Sequence, residues 1–409
     1  DGGTEYSMEE GDRTEVGTEI TLFLNEESLE FANEYRVREV IKKYCSFMPV
    51  ELFYIDTVQV EKNKEEEEKK RKEKEEKGEE YIAPSDKLYP INNTTPLWAK
   101  KPSECTDADY VSFYHDVFPD MRDPLFWIHL NMDYPFTLQG ILYFPKTDNV
   151  YQSLEGRIKI YNHQVFVADN IEEVIPDFLF LLKGCLDCSD LPLNVSRSAL
   201  QQDEYVKKLS SHIIKKVSDK LNEVFKKERE SFEKYWSDIS VFVKYGMMKE
   251  EKFYDKTKDI CLFKLNNGGF KTVSELTEGG KDTIRYTTDS TAQAAYISMA
   301  EKDGYEVVIL DEEIDNNFIS FLEYKYQNIK FKRVDSELSG TEGDEAIKSK
   351  LSDLFASAVK GTTIEVTAMG LGADAMPAFI RETEEARRMA KLVSDLLTLS
   401  CVFCNSICA

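Results

Sequence analysis

The sequence predicts a multidomain α/β protein, and three observations carry that expectation. At 409 residues the chain is too long for one hydrophobic core and should divide into two to four domains. From residue 91 onward, strand-like and helix-like hydrophobic periods alternate, which is the pattern of layered α/β units. Ahead of that region lies a stretch with no apolar residue at all, Glu61–Glu80, which separates the N-terminal sixty residues from the rest of the chain. Hydrophobic residues at 42% suffice for several cores. No apolar run approaches the ~20 residues that span a bilayer, so a soluble chain without a membrane partner is expected. The formal charge of −24 opposes nonspecific nucleic-acid binding, which needs a basic footprint. Eight cysteines without a dense regular framework indicate a reducing compartment, and hence a cytoplasmic location.

The chain opens at Asp1-Gly2-Gly3 without a methionine and reads as an internal start. Residues 18–25 (TEITLFLN) alternate like a strand, Leu29–Met48 carries apolar residues at near-helical spacing, and Val50–Ile55 reads as a second strand. Glu61–Glu80 holds ten glutamates and eight basic residues. It cannot form a core, and its near-balanced charge makes it a zwitterionic tether with at most marginal helical stretches. Past it, Asp107–Phe118 predicts a helix. Gly140–Pro145, Ile158–Tyr161 and Val165–Val167 predict strands, and Glu172–Leu182 a helix. Glu204–Trp236 reads as one long helix with a wide apolar stripe. A smaller unit over roughly 252–336 reads strand, helix, strand, helix, with Thr283–Arg285 and Val307–Leu310 as strands. Ser336–Glu345 marks the next boundary. Beyond it Ala346–Val359 looks helical, Thr363–Thr367 extended and Glu382–Leu399 helical.

The stretch Asp190–Gln202, DLPLNVSRSALQQ, places Arg197 where a strand-like loop turns into the long helix. Asp190, Asn194 and Ser196 offer side-chain oxygens there, and Ser196 could cap the helix. An arginine at such a junction can stabilise the charge of a transferring phosphoryl group through its planar fork of donors, which lysine does not reproduce. On local spacing alone, a surface salt bridge accounts for it equally well.

Three longer blocks settle the context: INNTTPLWAKKPSECTDADYVSFYHDVF at 91–118, DPLFWIHLNMDYPFTLQGILYFPK at 123–146, and 158–202 from IKIYNHQVFVADN through IPDFLFLLKGCLDCSDLPLNVSRSALQQ. In their order and spacing they resemble the middle segment of the heat shock protein 90 family, most closely its bacterial branch. The resemblance implies five parts. Residues 1–60 would be the end of an α/β-sandwich ATP-binding domain, 61–90 a charged linker and 91–251 a large middle subdomain with a helical connector. Residues 252–338 would be a small middle subdomain, and 339–409 part of an α+β dimerisation domain.

It further implies an ATP-dependent chaperone that acts on unfolded or partly folded clients and is a homodimer when complete. Arg197 would reach the ATP γ-phosphate, Gln201 would support it, and Asn194 would belong to the same catalytic loop. ATP and Mg2+ would be held mainly by upstream parts of the fold, with Thr18 the one residue here that matches a position near the adenine. One departure stands out: Ser198-Ala199 replaces the Glu-Met that usually follows the arginine, which weakens a salt bridge that would park it. A non-enzymatic client-binding role, and an ATPase of the mismatch-repair or topoisomerase type, stay open as alternatives.

The other candidate groups carry weaker signals. Trp127, Tyr134, Phe136 and Tyr151 fall in family segments near client-contacting surface, although core packing accounts for Trp98 and Trp127 better. Asp311, Glu312, Glu313 and Asp315 form an acidic knot after a strand, where surface solvation competes with metal binding. No metal site is assigned. Cys401, Cys404 and Cys408 lack a fourth ligand, and Cys185 with Cys188 reads as buried thiols rather than a redox pair. His115, His129, His163 and His212 have no ligand spacing, and His129 in FWIHL suits a satisfied, half-buried ring.

Overall fold

The computed structural model describes residues 8, 10, 11, 13, 14, 16–77, 88–134, 137–146, 158–169, 175–191, 204–336, 341–342, 345–358 and 369–370. The chain divides into two compact units, one of Asp1–Pro96 with Tyr161–Val167 and the other of Leu97–Ile160 with Ala168–Ala409.

In the first unit, residues 18–25 form no strand, and Ile20 and Phe23 are 80% and 94% exposed. An alternating segment becomes a strand only when another strand pairs with it, and no partner lies beside it among the described residues. The single helix expected over Leu29–Met48 is instead a 3-10 turn, Glu26–Ala32, followed by α1, Glu34–Cys45. Asn33 makes the break: its backbone is extended and its side chain accepts from the Tyr35 amide, so it starts a new helix. Val50–Ile55 is likewise no strand.

The charged segment differs most from expectation. Thr57–Lys77 is one 21-residue helix, α2, capped by Asp56, whose Oδ1 accepts from the Gln59 amide at 3.0 Å. Glu65–Glu68 precede Lys69–Lys72 by four residues each, with every acid N-terminal to its base, the favourable orientation for i,i+4 pairs. Repeated along the block, these small terms raise the helix above the marginal state assigned to it.

A five-stranded sheet comes next in the chain. Its elements run α3 (Asp107–Val117), β1 (Phe126–Met132), β2 (Leu138–Phe144), β3 (Ile158–Asn162), β4 (Val165–Asp169) and β5 (Lys183–Cys188), in the order β1-β2-β5-β3-β4. A capping box between Thr106 and Asp109 starts α3 where expected. Among the described residues of the helix expected over Glu172–Leu182, the chain forms a 3-10 turn, Asp177–Leu181. In the antiparallel β1–β2 pair, Phe126 lies opposite Phe144, and Trp127 opposite Tyr143. Strand alternation therefore sends the two pairs to opposite faces. Tyr143 packs on Tyr114 of α3, while Phe144 packs on Phe242 and Phe126 on Tyr235.

Phe242 and Tyr235 belong to α5. The long helix expected from the sequence is two helices, α4 (Glu204–Lys227) and α5 (Arg229–Lys249), broken at Glu228 where φ is −139° and ψ 56°. After α6 (Glu251–Thr257) come β6 (Leu262–Lys264), β7 (Phe270–Thr272), α7 (Val273–Leu276), β8 (Thr283–Thr287), α8 (Ala294–Lys302), β9 (Val307–Ile309), α9 (Asp315–Tyr326) and β10 (Lys330–Arg333). Strands β10, β8 and β9 form a parallel sheet in that order, joined by the helices read from the sequence. One hydrophobic core runs from Leu142 and Phe144 through Val217, Leu221 and Phe242 to Phe263, Phe318 and Phe331, so α4–α6 join two sheets into one packed body. Farther on, β11 (Thr341–Glu342), α10 (Glu345–Ala358) and β12 (Met369–Gly370) complete the described elements, with β11 antiparallel to β12. The expected elements at Thr363–Thr367 and Glu382–Leu399 lie outside the described residues.

Candidate functional site

Arg197, Asn194 and Gln201 lie outside the described residues, which stop at Leu191 and resume at Glu204. On one side β5 brings the chain from the middle of the sheet to Asp190 and Leu191. Leu191 is buried at 6% exposure, and the Thr137 amide donates to Asp190 Oδ2 at 2.8 Å. That bond ties Asp190 to the β1–β2 connection. On the other side α4 begins at Glu204 and is anchored within its first turns by Val206, Leu209 and Ile213, all buried.

The opposite end of β5 carries a polar network that the sequence did not reveal. Lys183 Nζ donates to Asp120 Oδ2 at 2.6 Å, Tyr114 Oη donates to the same oxygen at 2.9 Å, and the Arg122 amide donates to Oδ1 at 3.1 Å. Burial alone would raise the Asp120 carboxyl, but these donors outweigh it and hold it well below the usual carboxylate range. Alongside, Tyr110 Oη donates to His129 Nδ1 at 2.7 Å, and His129 Nε2 donates to the Trp98 carbonyl at 3.2 Å. Burial lowers the His129 pKa, so the ring is the neutral, satisfied histidine expected from FWIHL. These groups fasten α3 to the sheet.

The profile of the family described as Hsp90 protein matches residues 30–366, well over half of the chain. The chain belongs to the Hsp90 family. It is 38% identical to a chaperone protein HtpG of Bacteroides fragilis over 96% of the chain and 59% of that relative. It is likewise 38% identical to chaperone protein HtpG of Porphyromonas gingivalis, over 95% of the chain and 58% of the relative. A chaperone protein HtpG of Borrelia garinii is 30% identical over 87% of the chain and 57% of its own length. The chain therefore spans about three-fifths of the length of the curated relatives it matches.

The remaining candidates of this Hsp90 chain fall into place one by one. Thr18 is exposed, in irregular backbone. Trp127 is half-buried in β1 and stacks on Tyr110 with ring centroids 4.9 Å apart. Trp98 is fully buried, whereas Tyr134 is 87% exposed beside the β1–β2 connection. Phe136, Tyr151, Cys401, Cys404 and Cys408 lie outside the described residues. Cys185 and Cys188 are buried thiols three residues apart in β5, which places them on opposite faces of the strand and excludes a mutual disulfide there.

The acidic knot has a partner. Lys244 Nζ of α5 donates to Glu312 Oε2 and to Asp315 Oδ1, both at 2.6 Å, and Ser240 Oγ donates to Glu312 Oε1 at 2.7 Å. Burial opposes the charge on Lys244, but the two carboxylates outweigh it and keep its pKa above the usual lysine value. Two of the knot's four carboxylates are thus spoken for by a buried cation. Among the described residues no group of three or more His, Cys, Asp or Glu is arranged to hold a metal, and no helix is long and apolar enough to cross a membrane. The signal for Lys244 was available in ISVFVKYGMM, where one lysine interrupts an apolar helical face.

Proposed function

We infer that this chain belongs to an ATP-driven molecular chaperone, in which Arg197 is brought to the γ-phosphate of bound ATP. The observation that carries the reading is the Hsp90 match across residues 30–366, which contains the whole frame of the 192–203 loop. The chaperone names of the relatives favour this reading over a mismatch-repair or topoisomerase type of ATPase. In the proposed cycle, the nucleotide and its Mg2+ are held mainly by residues other than those described here, with Thr18 near the adenine. Arg197 supplies a guanidinium that neutralises charge developing on the transferring phosphoryl group, Gln201 supports it, and Asn194 shapes the loop. Anchoring at Asp190 and Leu191 on one side and at Val206 on the other reduces the distances the arginine can wander. Closure on ATP and reopening after hydrolysis would couple this chemistry to client remodelling, with two states biased by one ligand.

Clients would meet exposed aromatic surface, of which Tyr134 is the described member; Phe136 and Tyr151 are assigned to the same surface. Trp127, stacked on Tyr110, would contribute only its outer edge. Residues 339–409 would take part in homodimerisation, and the protein would act in the cytoplasm.

The test is steady-state ATP hydrolysis by this chain joined to a family ATP-binding domain upstream. Hydrolysis should fall on the order of 10³-fold in Arg197→Ala. Arg197→Lys should restore little, because a point charge does not reproduce the fork of donors. Undiminished turnover in Arg197→Ala would remove this residue from the mechanism.

A further inference from the structure

The turn that carries α3 into β1, residues 118–125, is fixed at two points. Near its start the Asp120 carboxylate is held by Lys183, Tyr114 and the Arg122 amide. At its end the Leu125 amide donates to the Phe144 carbonyl at 2.8 Å. Between these points Met121 projects with 98% exposure, and Asp123 reaches back to His115 in the last turn of α3. Among the described residues, His115 is the one partner of the Asp123 side chain.

Both ring nitrogens of His115 face acceptors in this turn. Nδ1 lies 2.8 Å from the Asp120 carbonyl oxygen, and Nε2 lies 2.9 Å from Asp123 Oδ1. A carbonyl oxygen only accepts, and so does an ionised carboxylate. Neutral imidazole carries one N–H and can serve one of the two; imidazolium carries two and serves both. The geometry is therefore that of the charged ring. Its place at a helix C-terminus also favours a cation. From α3 itself the Tyr114 ring stands edge-on to the imidazole, with centroids 5.5 Å apart. The cations of this corner, Lys183 of β5 and Arg122 of the turn, both bond the Asp120 carboxylate.

Loss of one proton acts unequally on the two contacts. The Asp120 side chain is 8% exposed and anchors its own carbonyl, whereas the Asp123 side chain is 73% exposed and can turn into water. The neutral ring therefore keeps its proton on Nδ1, toward the fixed carbonyl, and presents a lone pair on Nε2 to the Asp123 carboxylate. We propose that His115 is a pH-operated staple: as imidazolium it pins Asp123 and the exposed tip of the turn, and as neutral imidazole it releases them while Asp120 and Leu125 stay in place. Its bonds to Asp123 and to the Asp120 carbonyl raise the His115 pKa above 6.5. The staple is thus closed below that pH and opens as pH rises through the raised value. The surface around Met121 becomes pH-dependent without disturbing Phe118 and Phe126, which are buried on either side.

The chain has four histidines, so NMR of the full chain with 15N-labelled imidazoles can resolve each ring, and His115→Gln assigns the signal. His115 should carry two ring protons at pH 6 and titrate with a midpoint above 6.5. Above that midpoint it should show the Nδ1–H tautomer, the minority form of free imidazole in water. Asp123→Asn, at an exposed side chain, should move the midpoint down toward 6.5. Backbone 15N relaxation reads the turn itself. In the parent the order parameter of the Asp123 amide should fall from about 0.85 at pH 6 to about 0.6 at pH 8.5, and in His115→Gln it should be low at both. A singly protonated ring at pH 6, an Nε2–H tautomer at high pH, a midpoint unmoved by Asp123→Asn, or a parent order parameter equal at the two pH values would each overturn the staple.

Discussion

Replacing Lys244 with methionine keeps the length and unbranched shape of the side chain and removes its charge. The structure indicates what that should cost. The Nζ lies 2.6 Å from both Glu312 Oε2 and Asp315 Oδ1, and the side chains of Lys244 and Asp315 are 6% and 3% exposed. Glu312 is 30% exposed and can turn toward water, but Asp315 cannot. Removing one partner of a buried pair costs about 3–5 kcal/mol, because the remaining charge has lost both its partner and its solvent. Asp315 can escape that cost only by taking up a proton. Burial already holds its pKa above the usual aspartate value against the pull of Lys244, and without the lysine it should rise further. A carboxyl with a raised folded pKa binds its proton more tightly folded than unfolded, so the variant should lose stability as pH rises from about 4 toward that value. Lys244 in the parent adds nothing to this window, since its contribution is lost only above the ordinary lysine range.

Urea unfolding followed by circular dichroism at pH 7.5 and pH 4.5 reads the outcome. Lys244→Met should be less stable than the parent by about 3–5 kcal/mol at pH 7.5 and by less than half of that at pH 4.5. Neutralising the whole cluster, as Lys244→Met with Glu312→Gln and Asp315→Asn, should recover stability to within about 1–2 kcal/mol of the parent. A deficit below about 1 kcal/mol at pH 7.5, or one that does not change with pH, would refute the argument that a buried, dependent carboxylate sets the cost.

The sheet carries further expected outcomes. Asp120 has a depressed folded pKa, so its stabilisation is present above the unfolded value near 4 and is lost as pH falls below it; Asp120→Asn should flatten the acid limb of a stability–pH curve measured by thermal melting. His115 is shifted the other way by hydrogen bonds to Asp123 and the Asp120 carbonyl, so its small contribution is present below about pH 6.5 and fades as pH rises, and His115→Gln should remove that slope. At Gly140 a Cβ would overlap the Cys185 carbonyl oxygen and come within 2.7 Å of Leu186 Cδ2. Because the first of these is backbone of the paired strand, Gly140→Ala should cost about 1–3 kcal/mol or more in urea titrations. An unchanged midpoint would show that β2 and β5 can part without penalty.

What the sequence revealed depended on how far apart the deciding residues lie. α3 was legible because Thr106, Asp109 and the apolar positions Tyr110, Phe113 and Tyr114 fall within one short window. The strand β9 was legible because it is a short apolar run with turn residues before it. Residues 18–25 show the same local alternation and form no strand, because pairing is supplied by a neighbour and not by the segment itself. The break between α4 and α5 at Glu228 was hidden for a related reason. The apolar stripe continues through it, from Val224 and Phe225 to Phe232 and Trp236, and only the tertiary turn back toward the second sheet requires the interruption.

Charge was the harder half, and two cases show why. Asp311, Glu312, Glu313 and Asp315 stand together in sequence, so they attracted attention as a cluster; the cation that explains Asp315 is 71 residues away on α5. Proximity in the chain exposes the group and conceals its partner. The segment around α2 fails in the opposite way. Its pairs are all local, four residues apart, and were in plain view. What they lacked was weight, since each contributes only about 0.2–0.5 kcal/mol, and a single pair would leave the segment unfolded. Four such pairs in succession, all in the favourable direction, offset much of the cost of nucleating a helix that buries nothing.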